Sequence, residues 1–136
     1  MSNELAVILK NNRAELKALA PKYVNLEKLT ALAIEARMRN PLLANCSPVS
    51  VLKFCKACAE AGTDRVGAGG VWAVQFRNKQ GGYDMQAIPD WRLMVEKARL
   101  AGVIKYATAE ADHEADVFAY ERGLEPRLVH KPALKN

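Results

Sequence analysis

Apolar positions recur at helical spacing through the first part of the chain. Leu5, Ile8, Leu9, Leu16 and Leu19 fall near one face, and Pro21 closes that stretch. A second helix is expected after Asn25 as N-cap, with Leu26, Leu29, Ala33, Ile34 and Ala36 as its apolar face. It should stop near Asn40, because Pro41 has no amide hydrogen and disfavours helical geometry just before it. Ser47-Pro48 restarts the pattern, since serine can accept from a free helix N–H and proline suits the first helical position. This third helix turns Val51, Leu52, Cys55, Cys58 and Ala59 inward and Lys53, Lys56 and Glu60 outward, with Gly62 as its left-handed cap.

The period then changes. Gly67 to Gly70 is a loop, and Val71-Trp72-Ala73-Val74-Gln75-Phe76 reads as a strand, being β-branched and aromatic. Asn78 to Gly82 is a turn, and Tyr83 to Ile88 returns as the partner strand of a hairpin. Asp90 caps a fourth helix, Trp91 to Ala101, closed by Gly102. Val103 to Ala109, Asp116 to Tyr120 and the start at Leu128-Val129-His130 are expected to be further strands. The order predicts an α+β fold: N-terminal helices, a β-hairpin, a helix and further antiparallel strands. We divide it into an N-terminal helical segment, 1–45, and an α+β portion, 46–136.

Composition adds little to the fold but narrows the partner. With 50% hydrophobic and 26% charged residues the chain is globular, and it has no apolar run long enough to span a membrane. The start Met1-Ser2-Asn3-Glu4 lacks a secretory signal, and three cysteines are an odd number for a disulfide framework, so a cytoplasmic protein is expected. The net charge of +5 is uneven: residues 1–45 balance at +3, 46–106 at +4 and 107–136 at −2. A basic body points to a polyanion, of which nucleic acid is the commonest.

No enzyme emerges. Cys55 and Cys58 are a single pair where a structural zinc site needs four ligands, and they read as core residues. The cluster Asp112-His113-Glu114-Ala115-Asp116 reads as a solvated turn. Gly67 to Gly70 are followed by Val71-Trp72, where a phosphate loop would place Lys and Ser or Thr. No catalytic residue, metal or cofactor is expected. What remains is an interleaving of cations and aromatics around the hairpin and fourth helix: Arg77, Lys79, Trp91, Arg92, Arg99 and Lys105. Single-strand binders use cations for phosphates and flat side chains for bases. Arg92, Glu96 and Arg99 share roughly one helix face, while Trp91, Val95 and Ala98 lie on another. Trp72, Phe76 and Trp91 are expected to pack in a core between sheet and helix.

Four blocks, in order over roughly residues 47–132, resemble the RecT family of phage and prophage single-strand annealing proteins. They are the helix opening Ser47-Pro48-Val49-Ser50-Val51, the hairpin with its Asn78-Lys79-Gln80-Gly81-Gly82 turn, the helix Pro89 to Gly102, and Asp116 to Pro132. Trp91-Arg92 and Ala98-Arg99 stand at the family's Tyr-Arg and Ala-Arg positions. Asp90 and Leu93 replace family glycines, and family members run considerably longer than Asn136. The resemblance implies ATP-independent binding and annealing of single-stranded DNA in homologous recombination. It also implies a homo-oligomer, ring or helical filament, and a partner exonuclease. On this basis Arg77, Lys79, Arg92 and Arg99, with Lys105 and Lys131, are the candidate phosphate contacts, and Trp91 is the aromatic to test. The alternative is a truncated paralogue that acts through contact with a longer annealing protein, without annealing activity of its own.

Overall fold

A computed structural model describes residues 2–109 and 111–133. It has six helices and two small antiparallel sheets, in the expected α+β order. They are α1 (Ser2–Asn11), α2 (Arg13–Leu19), α3 (Leu26–Arg39), α4 (Pro41–Ala44), α5 (Pro48–Glu60), β1 (Val71–Arg77), β2 (Tyr83–Pro89), α6 (Trp91–Leu100), β3 (Val117–Glu121) and β4 (Arg127–Lys131). Two compact units divide at Lys105 and Tyr106.

In the first unit α5 is the central element. Its side chains Val51, Leu52, Phe54, Cys55, Cys58 and Ala59 are buried, against α1, α2 and α3 on one side and β2 on the other. One cluster joins them to Leu5, Leu9, Leu16, Leu29 and Ala33 from the earlier helices and to Val71, Met85 and Leu93 from the later elements. The core therefore runs across residue 45. Phe54, absent from the expected inward set, is its largest fully buried side chain. Burying a side chain of that size contributes roughly 1.5–3 kcal/mol, more than any cap in the molecule.

The helix starts follow the local chemistry. Asn25 Oδ1 accepts from Lys28 N at 2.9 Å, Ser47 Oγ from Ser50 N at 3.2 Å and Asp90 Oδ1 from Arg92 N at 2.9 Å. Three local features differ from expectation. The first helical stretch is two helices, because Asn12 turns its amide back onto Ile8 O at 2.8 Å and competes with the backbone there. Pro41 ends α3 as expected but also opens the short α4, with Asn40 Oδ1 accepting from Leu42 N at 3.0 Å. Val103 to Ala109 is not a strand: Val103 N bonds back to Ala98 O at 2.9 Å, closing α6, and the residues beyond pair with nothing regular.

The second unit is the β3–β4 hairpin, with Val117 opposite Lys131 and Glu121 opposite Arg127. Asp116 closes it, accepting from His113 N at 3.0 Å, His130 Nε2 at 2.9 Å and Ala133 N at 2.8 Å. Asp112, His113 and Glu114 are exposed as a solvated turn should be, but Asp116 is a half-buried anchor, which the turn reading missed. The His130 ring first, then the Ala133 and His113 amides, hold its carboxyl well below the usual carboxylate range. A carboxyl depressed in the folded state stabilises fully above its unfolded value, about 4, and loses that contribution as pH falls through the lower folded value. Amide signals of β3 and β4 should accordingly survive acidification to about pH 4 and collapse only below it, whereas Asp116→Asn should lose the hairpin's amide protection at neutral pH. Hairpin protection indifferent to both changes would contradict the anchoring role.

Cys55 and Cys58 are buried packing residues, as their helical spacing suggested. Burial pushes both thiols up to about 12, with Cys58 raised further by its neighbour Cys55. Native protein should therefore resist thiol-labelling reagents at neutral pH. Cys55→Ala with Cys58→Ala should lower stability by roughly 1–3 kcal/mol in urea unfolding, through lost packing in a dense core. Rapid labelling of native protein would show the core reading wrong.

Candidate nucleic-acid interface

A two-stranded hairpin has two faces, and here their chemistry differs. In the β1–β2 register Val71, Ala73 and Gln75 lie opposite Pro89, Ala87 and Met85, while Trp72, Val74 and Phe76 lie opposite Ile88, Gln86 and Asp84. Directly opposed residues share a face. The first set includes the inward residues, with Val71 and Met85 fully in the core and Ala73 and Ala87 against it. The second, aromatic set faces out: Trp72 is 46% exposed, Phe76 42% and Ile88 42%. This corrects the expectation that Trp72 and Phe76 are core. Alanines on the inner face let the hairpin lie close on α5, and alternation then forces the bulky residues outward.

The outer face is tied to α6 through Asp90, whose side chain is buried. Its Oδ2 accepts from Trp72 Nε1 at 2.9 Å, its Oδ1 from Arg92 N at 2.9 Å, and its own amide donates to Gly70 O at 2.9 Å. The Arg92 amide first, then the Trp72 indole, the Arg92 guanidinium and the Gly69 amide, hold this carboxyl below the usual range against the opposing effect of burial. Sequence reasoning saw Asp90 only as a cap. Its distance along the chain from Trp72 left no local signal of the second bond.

On α6 only Leu93 is fully buried, a position the helical-face reading did not single out. Trp91 is 58% exposed, so the expectation that it packs in the core is also overturned. The Arg92 guanidinium lies over the Trp91 ring at 4.7 Å from its centroid and reaches to 3.5 Å from Asp90 Oδ1. A cation on an exposed indole leaves the other ring face open to a flat ligand.

The candidate residues fall into separate places. Trp91 and Arg92 sit beside Trp72 at the base of the hairpin. Arg77 ends β1 and Lys79 lies in the turn, at the opposite end of two seven-residue strands, about 20 Å away at strand rise. Alternation assigns Arg77 to the inner face, at its uncovered end. Arg99 is exposed on the last turn of α6, with Lys105 beyond it, and Lys131 ends β4 in the second unit. Arg77, Lys79, Arg99, Lys105 and Lys131 form no ion pair among the described residues, so their charge is available to a polyanion. Other cations are already engaged, Lys28 with Asp64, Lys56 with Glu15 and Arg13 with Glu27. Among the described residues no three His, Cys, Asp or Glu side chains come together as a metal site, and no helix is long and apolar enough to cross a membrane.

The sequence profile of the RecT family matches residues 27–136, beginning within α3 and covering both sheets and α6. The chain belongs to the RecT family. It is similar to Protein RecT of Escherichia coli (strain K12), 29% identical over 124 residues, which covers 88% of this chain and 46% of that protein. The chain thus spans about half the length of its curated RecT relative. No solved structure matches it.

The RecT-matched region depends locally on Gly70. A Cβ there would stand 2.2 Å from Arg65 O, a backbone atom that cannot swing away. Gly70→Ala should cost about 1–3 kcal/mol, since overpacking moves the loop that receives Asp90 N. Thermal unfolding measures this, and an unchanged transition would contradict the close approach.

Proposed function

We propose that this chain binds single-stranded DNA along the outer face of the β1–β2 hairpin and the first turn of α6, and serves ATP-independent pairing of complementary strands in recombination of the phage type. The observation that carries the reading is the uncovered row Trp72, Phe76 and Ile88, continued by the Trp91–Arg92 stack. Membership of the RecT family supports it. The row holds bases by stacking and apolar contact, which every base accepts, so the binding is without sequence preference. Arg77, Lys79, Arg92, Arg99 and Lys105 neutralise phosphates and fix the strand without reading it, and Lys131 offers the second unit a phosphate contact of its own.

Pairing then needs no nucleotide hydrolysis, because duplex stacking supplies about 1.4 kcal/mol per step. The protein's part is to lower repulsion between two polyanions and keep bases presented. It is no enzyme in this reading, and it holds no cofactor. Assembly into a homo-oligomeric ring or filament, an exonuclease that supplies the single strands, and a cytoplasmic location complete the picture.

Affinity for oligonucleotides should fall with salt at a log–log slope of roughly −0.7 per neutralised phosphate. Arg92→Ala with Arg99→Ala should weaken binding by about tenfold and flatten the slope by about 1.4, two phosphates' worth. Exposed charge removal should cost under about half a kcal/mol of stability. Lys10→Ala with Lys17→Ala removes equal charge from exposed positions on α1 and α2 and should change little. Equal losses in the two double variants, measured by fluorescence anisotropy, would refute the assigned surface.

A further inference from the structure

The Trp72 indole does two things at once. Its ring lies over the loop, with Cζ3 3.8 Å from where a Gly67 Cβ would stand, and its N–H ends on the Asp90 carboxylate. Asp90 is 4% exposed, so an oxygen that lost its donor there would have little water to turn to. The same carboxylate caps α6 through Arg92 N, immediately beside the Trp91 ring that Arg92 covers. Asp90 N on Gly70 O and the buried Leu93 also hold this end of the helix, and the carboxylate is the part of that anchorage that Trp72 reaches.

We infer that Trp72 is a positioning residue for the strand-binding surface: its indole N–H, acting through Asp90, sets the first turn of α6 and thereby aims the Trp91 ring and the Arg92 guanidinium. This deepens the single-strand reading proposed above and rests on it. The carboxylate divides its oxygens between the two tasks, Oδ1 to the Arg92 amide and Oδ2 to Trp72. Moving Trp72 therefore moves the cap, and the cap carries Trp91 and Arg92. A phenyl ring in its place keeps the apolar contact with the loop but donates nothing, so Oδ2 must seek water and the helix start shifts towards solvent.

The test is a double-mutant cycle on the full chain, read by anisotropy of a labelled thymidine oligonucleotide, with salt lowered until every variant binds measurably. Trp72→Phe should weaken binding by about five- to tenfold in the parent background. With Trp91→Ala and Arg92→Ala already present, it should cost less than about twofold, because the phenyl ring keeps the platform that Trp72 itself offers to bases and nothing remains to be aimed. The parent chain has two tryptophans, so Trp72→Phe also leaves Trp91 as the sole tryptophan, and its response to the oligonucleotide should shrink at saturating DNA. Equal losses in both backgrounds would mean that the indole acts on DNA through its own contact alone and positions nothing. A lowered melting temperature with unchanged affinity would mean that its role is structural only. Asp90→Asn is the second variant: it retains one acceptor for the cap but places an amide donor where Trp72 also donates, so it should reproduce the Trp72→Phe pattern. Unfolding of both variants overturns the positioning role. A parent chain that binds no oligonucleotide overturns the function and this inference together, whereas a binding parent with additive losses overturns the inference alone.

Discussion

Close contact between the hairpin and α5 is the constraint on which the rest of the structure depends. Ala73 and Ala87 pack against the core, and Ser50 Oγ accepts from Met85 N at 2.9 Å, a hydrogen bond between helix side chain and strand backbone that only a short separation permits. A second bond, Ser47 N to Tyr83 O at 2.9 Å, pins the neighbouring turn to the same strand. Alanines flank Met85 on the inner face at that distance. Strand alternation does the rest, and Trp72, Phe76 and Ile88 have no place except outside.

Helix positions were legible because capping and breaking are local. Asn25, Ser47, Asp90, Pro41 and Gly62 each act on the backbone within a few residues, and each stands where its chemistry requires. The hairpin was legible too, from its turn and composition. What the pattern could not decide was which face of the hairpin is buried, because Val71, Ala73 and Gln75 are no more apolar than Trp72, Val74 and Phe76. Size alone favours burying the aromatics, and the closeness of α5 reverses that choice. The strand expected at Val103 failed for a related reason: a run of apolar residues is a strand only where a partner edge is free, and here α6 closes onto Val103 instead.

The candidate site was legible by residue type more than by arrangement. Arg77, Lys79, Arg92 and Arg99 are exposed cations as expected, but they are spread from the far end of the hairpin to the last turn of α6 rather than gathered in one cluster. Asp90 was visible only as a helix cap, since its bond to Trp72 spans the whole hairpin. The result is a surface with apolar platforms and exposed cationic side chains away from them, suited to a flexible polyanion and poorly suited to a small rigid ligand. An extended surface also accords with a family whose proposed substrate is a strand rather than a single nucleotide.

Ultraviolet crosslinking of the chain to a thymidine oligonucleotide, with the crosslinked peptides mapped by mass spectrometry, tests the central claim most directly. Crosslinks should concentrate on Trp72, Phe76 and Trp91, the aromatic residues of the outward face. Crosslinks confined to α1, α2 and α3, with the hairpin and α6 unlabelled, would contradict it.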